Sequence, residues 1–210
     1  MKKLIIMFAM GISTAAFTNE NLILNGGFEN VSKIPKASSK YILGQIKKGW
    51  DFGPGPVAKI PRNWTPNSGK IKSTVIIVGE NGENKENVAE GRVSMHFAGE
   101  NFHMYNGANL KLGKYTFSFK YKGSGTVTIG FYGYSVDPAT RKGKHLVSKA
   151  PMSVRAKPEW QTFTKTMEIG GADWAPGIDR CTFALTGTKC DVYIDDVIVT
   201  AVKDSSLNEQ

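Results

Sequence analysis

The stretch Lys114-Tyr115-Thr116-Phe117-Ser118-Phe119-Lys120-Tyr121 decides the fold class. Its four aromatic rings occupy every second position, with Thr116, Ser118 and Lys120 between them. Successive side chains of a strand point to opposite faces, so this pattern packs one face on a core and wets the other. A helix would gather positions three and four apart instead. The turn residues Lys122-Gly123-Ser124-Gly125 close the strand, and a second alternation follows, with Val127, Ile129 and Phe131 set against Thr128, Gly130, Tyr132 and Tyr134.

The same period recurs outward from this pair. Arg92–Phe97 sets Val93, Met95 and Phe97 against Ser94 and His96, and a shorter alternation sets Phe102 and Met104 against His103 and Tyr105 beyond Gly99-Glu100-Asn101. Residues 160–169, 180–185 and 191–201 are further strands, as are 21–24 and 73–78. Very little of the chain has helical period. Eight or nine short strands separated by Gly- and Asn-containing turns predict an all-β protein, a jelly-roll β-sandwich of two antiparallel sheets. A hydrophobic share of 40% against 21% charged residues supports a sizeable core and excludes a disordered chain. Two long connections interrupt the pattern, residues 31–63 and 136–158. Loops of that length are commonly functional. Both are basic, with no acid in 31–50 or in 138–158.

Met1 to Ala16 has the form of a secretory signal peptide: Lys2 and Lys3, the apolar run Leu4–Ile12, then the small residues Ser13 to Ala16. The apolar run is too short to span a bilayer. Cleavage would remove two lysines and no acid, lowering the formal charge from +9 to +7. The expected product is a secreted chain, extracellular or periplasmic, with one domain over residues 20–202 and a polar tail over 203–210. An oxidising compartment predicts a disulfide between Cys181 and Cys190, the only two cysteines.

Three landmarks follow one another in fixed order. The first is Asn21-Leu22-Ile23-Leu24-Asn25-Gly26-Gly27-Phe28-Glu29, followed by Ile60-Pro61-Arg62-Asn63-Trp64. Next come Glu90-Gly91-Arg92-Val93-Ser94-Met95 and Leu110-Lys111-Leu112-Gly113-Lys114-Tyr115-Thr116-Phe117-Ser118-Phe119. The last is Trp160-Gln161-Thr162-Phe163 with Val192-Tyr193-Ile194-Asp195-Asp196-Val197. Together they resemble the carbohydrate-binding modules of the family 4/9 type, among the galactose-binding-like jelly rolls, over nearly all of residues 20–200. The chain departs from that pattern in the segments 31–63 and 136–158.

The resemblance implies a structural Ca²⁺ held by the side chains of Glu29 and Asp195 and the carbonyls of Gly27, Ala89 and Arg92, with Asp196 as the alternative to Asp195. Oxygen ligands of this kind suit calcium. The alternative is a carboxylate pair satisfied by backbone N–H groups or by Arg92, without metal.

Catalytic signatures are absent from the sequence: no GxSxG elbow, no HExxH, no P-loop. Glu90, Glu100 and Glu159 are the carboxylates left open to a glycosidase role. The motifs of jelly-roll polysaccharide lyases are not recognisable. The expectation is therefore no enzyme. Binding would rest on outward rings, since an aromatic face stacks on the apolar face of a pyranose while polar neighbours meet its hydroxyls. Tyr105, Tyr132, Tyr134, His96 and His103 are the candidate ligand-binding residues on one open face, with Trp50 and Trp174 as loop-edge candidates and Trp64 left to packing. The expected ligand is an extracellular polysaccharide, acidic or sulfated to match the basic segments, bound by a monomer that has no nucleic-acid partner and no membrane span. The alternative class is a structural or adhesive sandwich that binds protein or the cell envelope.

Overall fold

The computed structural model describes residues 20–171 and 174–202. The expected signal peptide, residues 1–16, and the expected tail, residues 203–210, lie outside the described residues. The elements in chain order are β1 (Val31–Pro35), α1 (Lys40–Lys47), β2 (Trp50–Asp51), β3 (Val57–Pro61), β4 (Trp64–Ile77), β5 (Val93–Leu110), β6 (Gly113–Val136), β7 (Gly143–Arg155), β8 (Gln161–Ile169) and β9 (Arg180–Ala201). Strands β1 and β3 form a small antiparallel pair. The others make one hydrogen-bonded sheet in the order β2-β4-β5-β9-β6-β7, with β8 also paired to β6.

That sheet folds over on itself to make the sandwich. Phe117 and Phe131 lie on the same strand, and their ring centres are 5.2 Å apart. Along a straight strand the fourteen-residue step would cover about 46 Å. The strand must therefore double back. The bend follows one line across four strands: the register shifts between Lys70 and Ile71 of β4, opposite Gly99 to Asn101 of β5, and between Ser124 and Thr126 of β6, opposite Asp191 to Thr188 of β9. Strands that change layer through bulges are a standard way of closing a sandwich corner. At Gly123 the backbone φ is +121° and a Cβ would sit 2.0 Å from the Asp191 carbonyl oxygen. Only glycine fits there.

The first layer thus holds residues 71–77, 93–98, 113–123, 161–169 and 191–201, and the second holds 64–69, 101–110, 126–136, 143–155 and 180–188. Phe28, Trp64, Phe117, Phe131 and Phe183 fill the space between them, with Phe97 stacked on Phe102 beside the bend at 4.1 Å. The alternation holds in both halves of β6. Tyr115, Phe117, Phe119 and Tyr121 are buried, and so are Val127, Ile129 and Phe131.

The all-β sandwich is as expected, but several boundaries differ. The stretches 92–97 and 102–105 are one strand, as are 114–121 with 126–134 and 180–185 with 191–201, because the glycine-containing segments between them are corners and not strand ends. Residues 21–24 form no strand. Asn25 and Phe28 adopt positive φ, and the Asn21 side chain ties the segment to β9 by accepting from Ile23 N and Val199 N and donating to the Val197 carbonyl. The segment 31–63 is not a loop. It carries β1, β2, β3 and the two-turn α1, whose N-terminus is capped by Ser39 accepting from Ile42 N. Most of 136–158 is strand β7, paired with β6 from Thr126↔Arg155 to Val136↔Gly143.

The expected disulfide is not formed: Cys181 and Cys190 are free and buried. They lie on the same strand, β9, Cys181 out along the second layer and Cys190 in the bend itself. The seven-residue straight run from Cys181 to Thr188 alone spans about 23 Å. A bridge requires Cα atoms within about 7 Å.

Candidate functional site

The outer face of the second layer carries a continuous group of rings. In the β-pairing the rows across the sheet run His103–Thr186–Thr128, Tyr105–Ala184–Gly130, Thr182–Tyr132–Ser148 and Arg180–Tyr134–His145. Residues directly opposite in a ladder share a face, so these rows stack along one surface. Ring centres are 4.5 Å apart for His103 and Tyr105, 5.2 Å for His103 and Tyr132, and 5.0 Å for Tyr105 and Tyr132. His145 continues the group at 6.0 Å from Tyr132 and 5.6 Å from Tyr134. The four rings of His103, Tyr105, Tyr132 and Tyr134 are half-buried, leaving edges and hydroxyls at the surface.

Small and polar neighbours shape the platform. Gly130 and Ala184 leave the row beside Tyr105 low, while Thr128, Ser153, Thr186 and His103 line up hydrogen-bonding groups next to it; Thr128 Oγ1 and Ser153 Oγ are 2.7 Å apart. Asn67, at the bulge of β4, donates to Tyr105 Oη at 3.4 Å and approaches His103 Nδ1 at 3.5 Å. Desolvation by burial lowers the His103 pKa, which favours the neutral ring. With Nδ1 turned to the Asn67 amide, the proton belongs on Nε2, which is buried without a partner. Burial, with the neighbouring Tyr132 and Tyr134, pushes the Tyr105 phenol up to about 12. It is therefore a neutral hydroxyl that donates and accepts.

Of the five sequence candidates, four come together here. The fifth, His96, stands on the first layer. It stacks on Tyr193 at 4.2 Å, and its Nε2 lies 2.6 Å from Asp191 Oδ1. Alternation counts straight through Gly99–Asn101, but the bend there moves the chain to the other layer between His96 and His103. Near His96, the Lys122 ammonium sits over the Tyr193 ring at 5.1 Å and the Trp160 ring at 5.4 Å. The loop-edge candidate Trp50 is core, 2% exposed and stacked on Phe52. Trp174 packs on Phe131 at 6.3 Å, and Trp64 is buried, its indole N–H donating to the Asn25 carbonyl. Sequence reading missed His145, Asn67 and Arg180. The pairing of β7 with β6 reveals the first, since it sets His145 opposite Tyr134.

The residues of the implied calcium site form a clasp between the N-terminal segment, the loop before β5, and β9. Glu29 Oε1 accepts from Arg92 N at 2.7 Å and Val93 N at 3.1 Å. Asp195, fully buried, accepts from Ala89 N and Glu90 N on Oδ2 and from Asp196 N on Oδ1. The Arg92 carbonyl is taken by Val78 N, and Gly27 sits beside Glu29. Lys120 closes the outside by pairing with Glu90 at 2.8 Å and Asp196 at 3.3 Å. Among the described residues, no three His, Cys, Asp or Glu side chains converge on a metal position. Both carboxylates are held by backbone N–H groups, so the clasp is joined by hydrogen bonds from Glu29 and Asp195 to residues 89–93. Burial lifts the Asp195 carboxyl to about 6, against the three N–H bonds that pull it down.

Elements of catalysis occur only in fragments. His145 Nε2 meets Ser148 Oγ at 3.0 Å, and His96 meets Asp191, on opposite layers. No nucleophile, base and orienting acid are joined in one chain of contacts among the described residues.

No protein-family model matches the chain, and no curated protein matches its sequence. Solved structures superpose on it. One is the enzymatically active domain of bacteriophage CBA120 tailspike protein 4, at 11% identity and a TM-score of 0.45, covering 87% of this chain. Another is the carbohydrate-binding module TmCBM61 in complex with β-1,4-galactotriose, at 17% identity and a TM-score of 0.40, covering 87% of this chain and 99% of that one. A third is a Stig cyclase of Fischerella sp. TAU, at 16% identity and a TM-score of 0.49, covering 87% and 97%. The chain spans only 21% of the tailspike structure. These are likenesses of fold, and the sandwich itself rests on the strand pairing described above.

Proposed function

We propose that this chain is an exported, non-catalytic carbohydrate-binding module that takes a polysaccharide on the outer face of its second layer. The observation that carries this reading is the unbroken group of Tyr105, Tyr132, Tyr134, His103 and His145, with neighbouring ring centres 4.5 to 6.0 Å apart. Sugar rings offer apolar faces to such rings and hydroxyls to the polar row of Thr128, Ser153, Thr186 and His103 beside them. Rigid rings ordered by the sheet cost little entropy on binding.

The likeness to family 4/9 modules is supported by the opening and closing motifs, which meet in the clasp of Glu29 and Asp195 around residues 89–93. Export rests on the pattern of residues 1–16. Calcium is not part of the proposal, because both carboxylates are already engaged by backbone donors.

The test is retention of the purified chain on a panel of immobilised plant, algal and bacterial polysaccharides, with product release assayed in parallel. Retention on at least one polymer without release of soluble sugar is expected. Soluble oligosaccharide appearing with time would make the chain an enzyme, and no retention on any polymer would remove the glycan reading.

A further inference from the structure

We propose that Arg180 is an anion-recognition group at the end of the tyrosine platform, taking a carboxylate or sulfate carried by the bound sugar. This rests on the platform reading above and adds a specificity to it.

Arg180 is the first residue of β9, and the pairing places it in one row with Tyr134 of β6 and His145 of β7, on the platform face. Its guanidinium carbon lies 5.8 Å from the Tyr134 ring centre. Nη2 reaches over β6 as far as β7, where a Cβ on Gly143 would be 3.0 Å away. Glycine at that position leaves the guanidinium its space.

The charge has no counter-ion among the described residues. Arg180 takes part in none of their ion pairs, and its Nε is buried without a hydrogen-bond partner. The two acids nearest in sequence to this end of the sheet are committed elsewhere. Asp179 accepts from Val136 N at 2.6 Å, and Asp137 accepts from Ala139 N and Thr140 N, both at 2.8 Å. Beyond Gly143 the surface falls into a depression of about 530 Å³ lined by Ser135, Asp137, Thr140, Lys142 and Lys144. Among the described residues at this end of the platform, Arg180, Lys142 and Lys144 outnumber the carboxylates Asp137 and Asp179, and the acid-free run 138–158 supplies the neighbouring strand.

A half-buried guanidinium beside a tyrosine, lacking an anion, is completed by a planar or tetrahedral oxyanion that takes two parallel N–H donors. A sugar seated on Tyr132 and Tyr134 would bring a ring substituent to that point. The shared chemistry is an anionic oxygen group, as a uronic acid carboxylate or as a sulfate ester provides.

The experiment measures affinity of wild type, Arg180→Gln and Arg180→Lys for polygalacturonate, for a sulfated galactan and for neutral galactan, with melting curves to verify folding. Wild type is expected to prefer one acidic polymer over the neutral one by about tenfold or more, the size of a charge-assisted hydrogen-bond pair. Arg180→Gln brings the acidic affinity down to that for neutral galactan, while Arg180→Lys, which keeps charge without the fork, restores part of the preference. Whichever acidic polymer responds identifies carboxylate or sulfate. Acidic and neutral polymers bound alike by wild type, or unchanged acidic affinity in Arg180→Gln, overturns the proposal while the glycan reading stands. If Arg180→Gln fails to fold, Arg180→Lys decides, reduced acidic preference supporting the proposal and wild-type preference overturning it. Wild type that binds neither acidic polymer overturns the anchor, whereas the glycan reading falls only if the wider polysaccharide panel retains nothing.

Discussion

Replacing Gly123 by alanine tests whether the long strands bend where the structure bends them. At this position a Cβ would stand 2.0 Å from the Asp191 carbonyl oxygen, far inside ordinary contact, and φ is +121°. No rotamer relieves a clash between a Cβ and a main-chain oxygen, so the two strands must separate at the corner. The strained backbone costs roughly 1–3 kcal/mol. Forcing packed elements apart adds roughly 1–3 kcal/mol. The expected loss is thus about 2–6 kcal/mol, a large part of the roughly 5–15 kcal/mol that a domain has. Gly53 is the control, since its φ is also positive, +76°, but nothing lies within 4 Å of its Cβ position. Gly53→Ala should cost only the conformational strain, about 1–2 kcal/mol. Urea unfolding of the two variants and the parent, with slopes compared as well as midpoints, measures the difference. Costs for Gly123→Ala and Gly53→Ala within about 1 kcal/mol of each other, on the scale of that strain penalty, would refute the closed corner.

Three other outcomes follow from the core and the clasp. Burial raises the Asp195 carboxyl to about 6, above the ~4 of an unfolded carboxyl; the folded chain then holds a proton that the unfolded chain releases, so stability falls as pH rises from about 4 to about 6, by up to ~3 kcal/mol. Asp195→Asn should flatten that fall in urea melts across the window, and parallel curves for the two proteins would count against it. Calcium should leave the melting temperature where a chelator leaves it, because the Glu29 and Asp195 oxygens already hold backbone N–H groups; a calcium-dependent rise abolished by Glu29→Gln would restore the family-type ion. Burial pushes both thiols up to about 11, so Cys181 and Cys190 should resist a thiol reagent in the folded chain, react after denaturation without prior reduction, and give a melting temperature indifferent to reductant. Fewer than two reactive thiols in the unreduced, denatured protein would show a bridge.

The alternation in 114–121 and 126–134 made the strands and their buried faces legible, because period two has one structural meaning when one face is apolar. What it could not convey was continuity. Gly123-Ser124-Gly125 and Gly99-Glu100-Asn101 have the composition of hairpin turns, and the same composition serves a bulged corner. That ambiguity placed His96 with the platform and made a disulfide between Cys181 and Cys190 look near. Strand β7 was hidden for another reason. As an outer strand beside β6 it needs little apolar surface, and residues such as Lys144, Ser148, Lys149 and Ser153 read as a solvated loop. The partners of the rings followed from pairing alone: Asn67 enters at a bulge, His145 through β7, and Arg180 by starting β9 opposite Tyr134.

On the proposed function, the second layer's outer face, and not the first, receives the glycan. The most direct measurement is the affinity of Tyr132→Ala/Tyr134→Ala and of His96→Ala/Tyr193→Ala for the polysaccharide that retains wild type. Loss of two stacking rings, at roughly 0.5–1.5 kcal/mol each plus their contact area, should weaken the platform variant by about tenfold or more. The first-layer variant should bind as wild type does. Equal affinity in the platform variant, or loss confined to His96→Ala/Tyr193→Ala, would contradict the account.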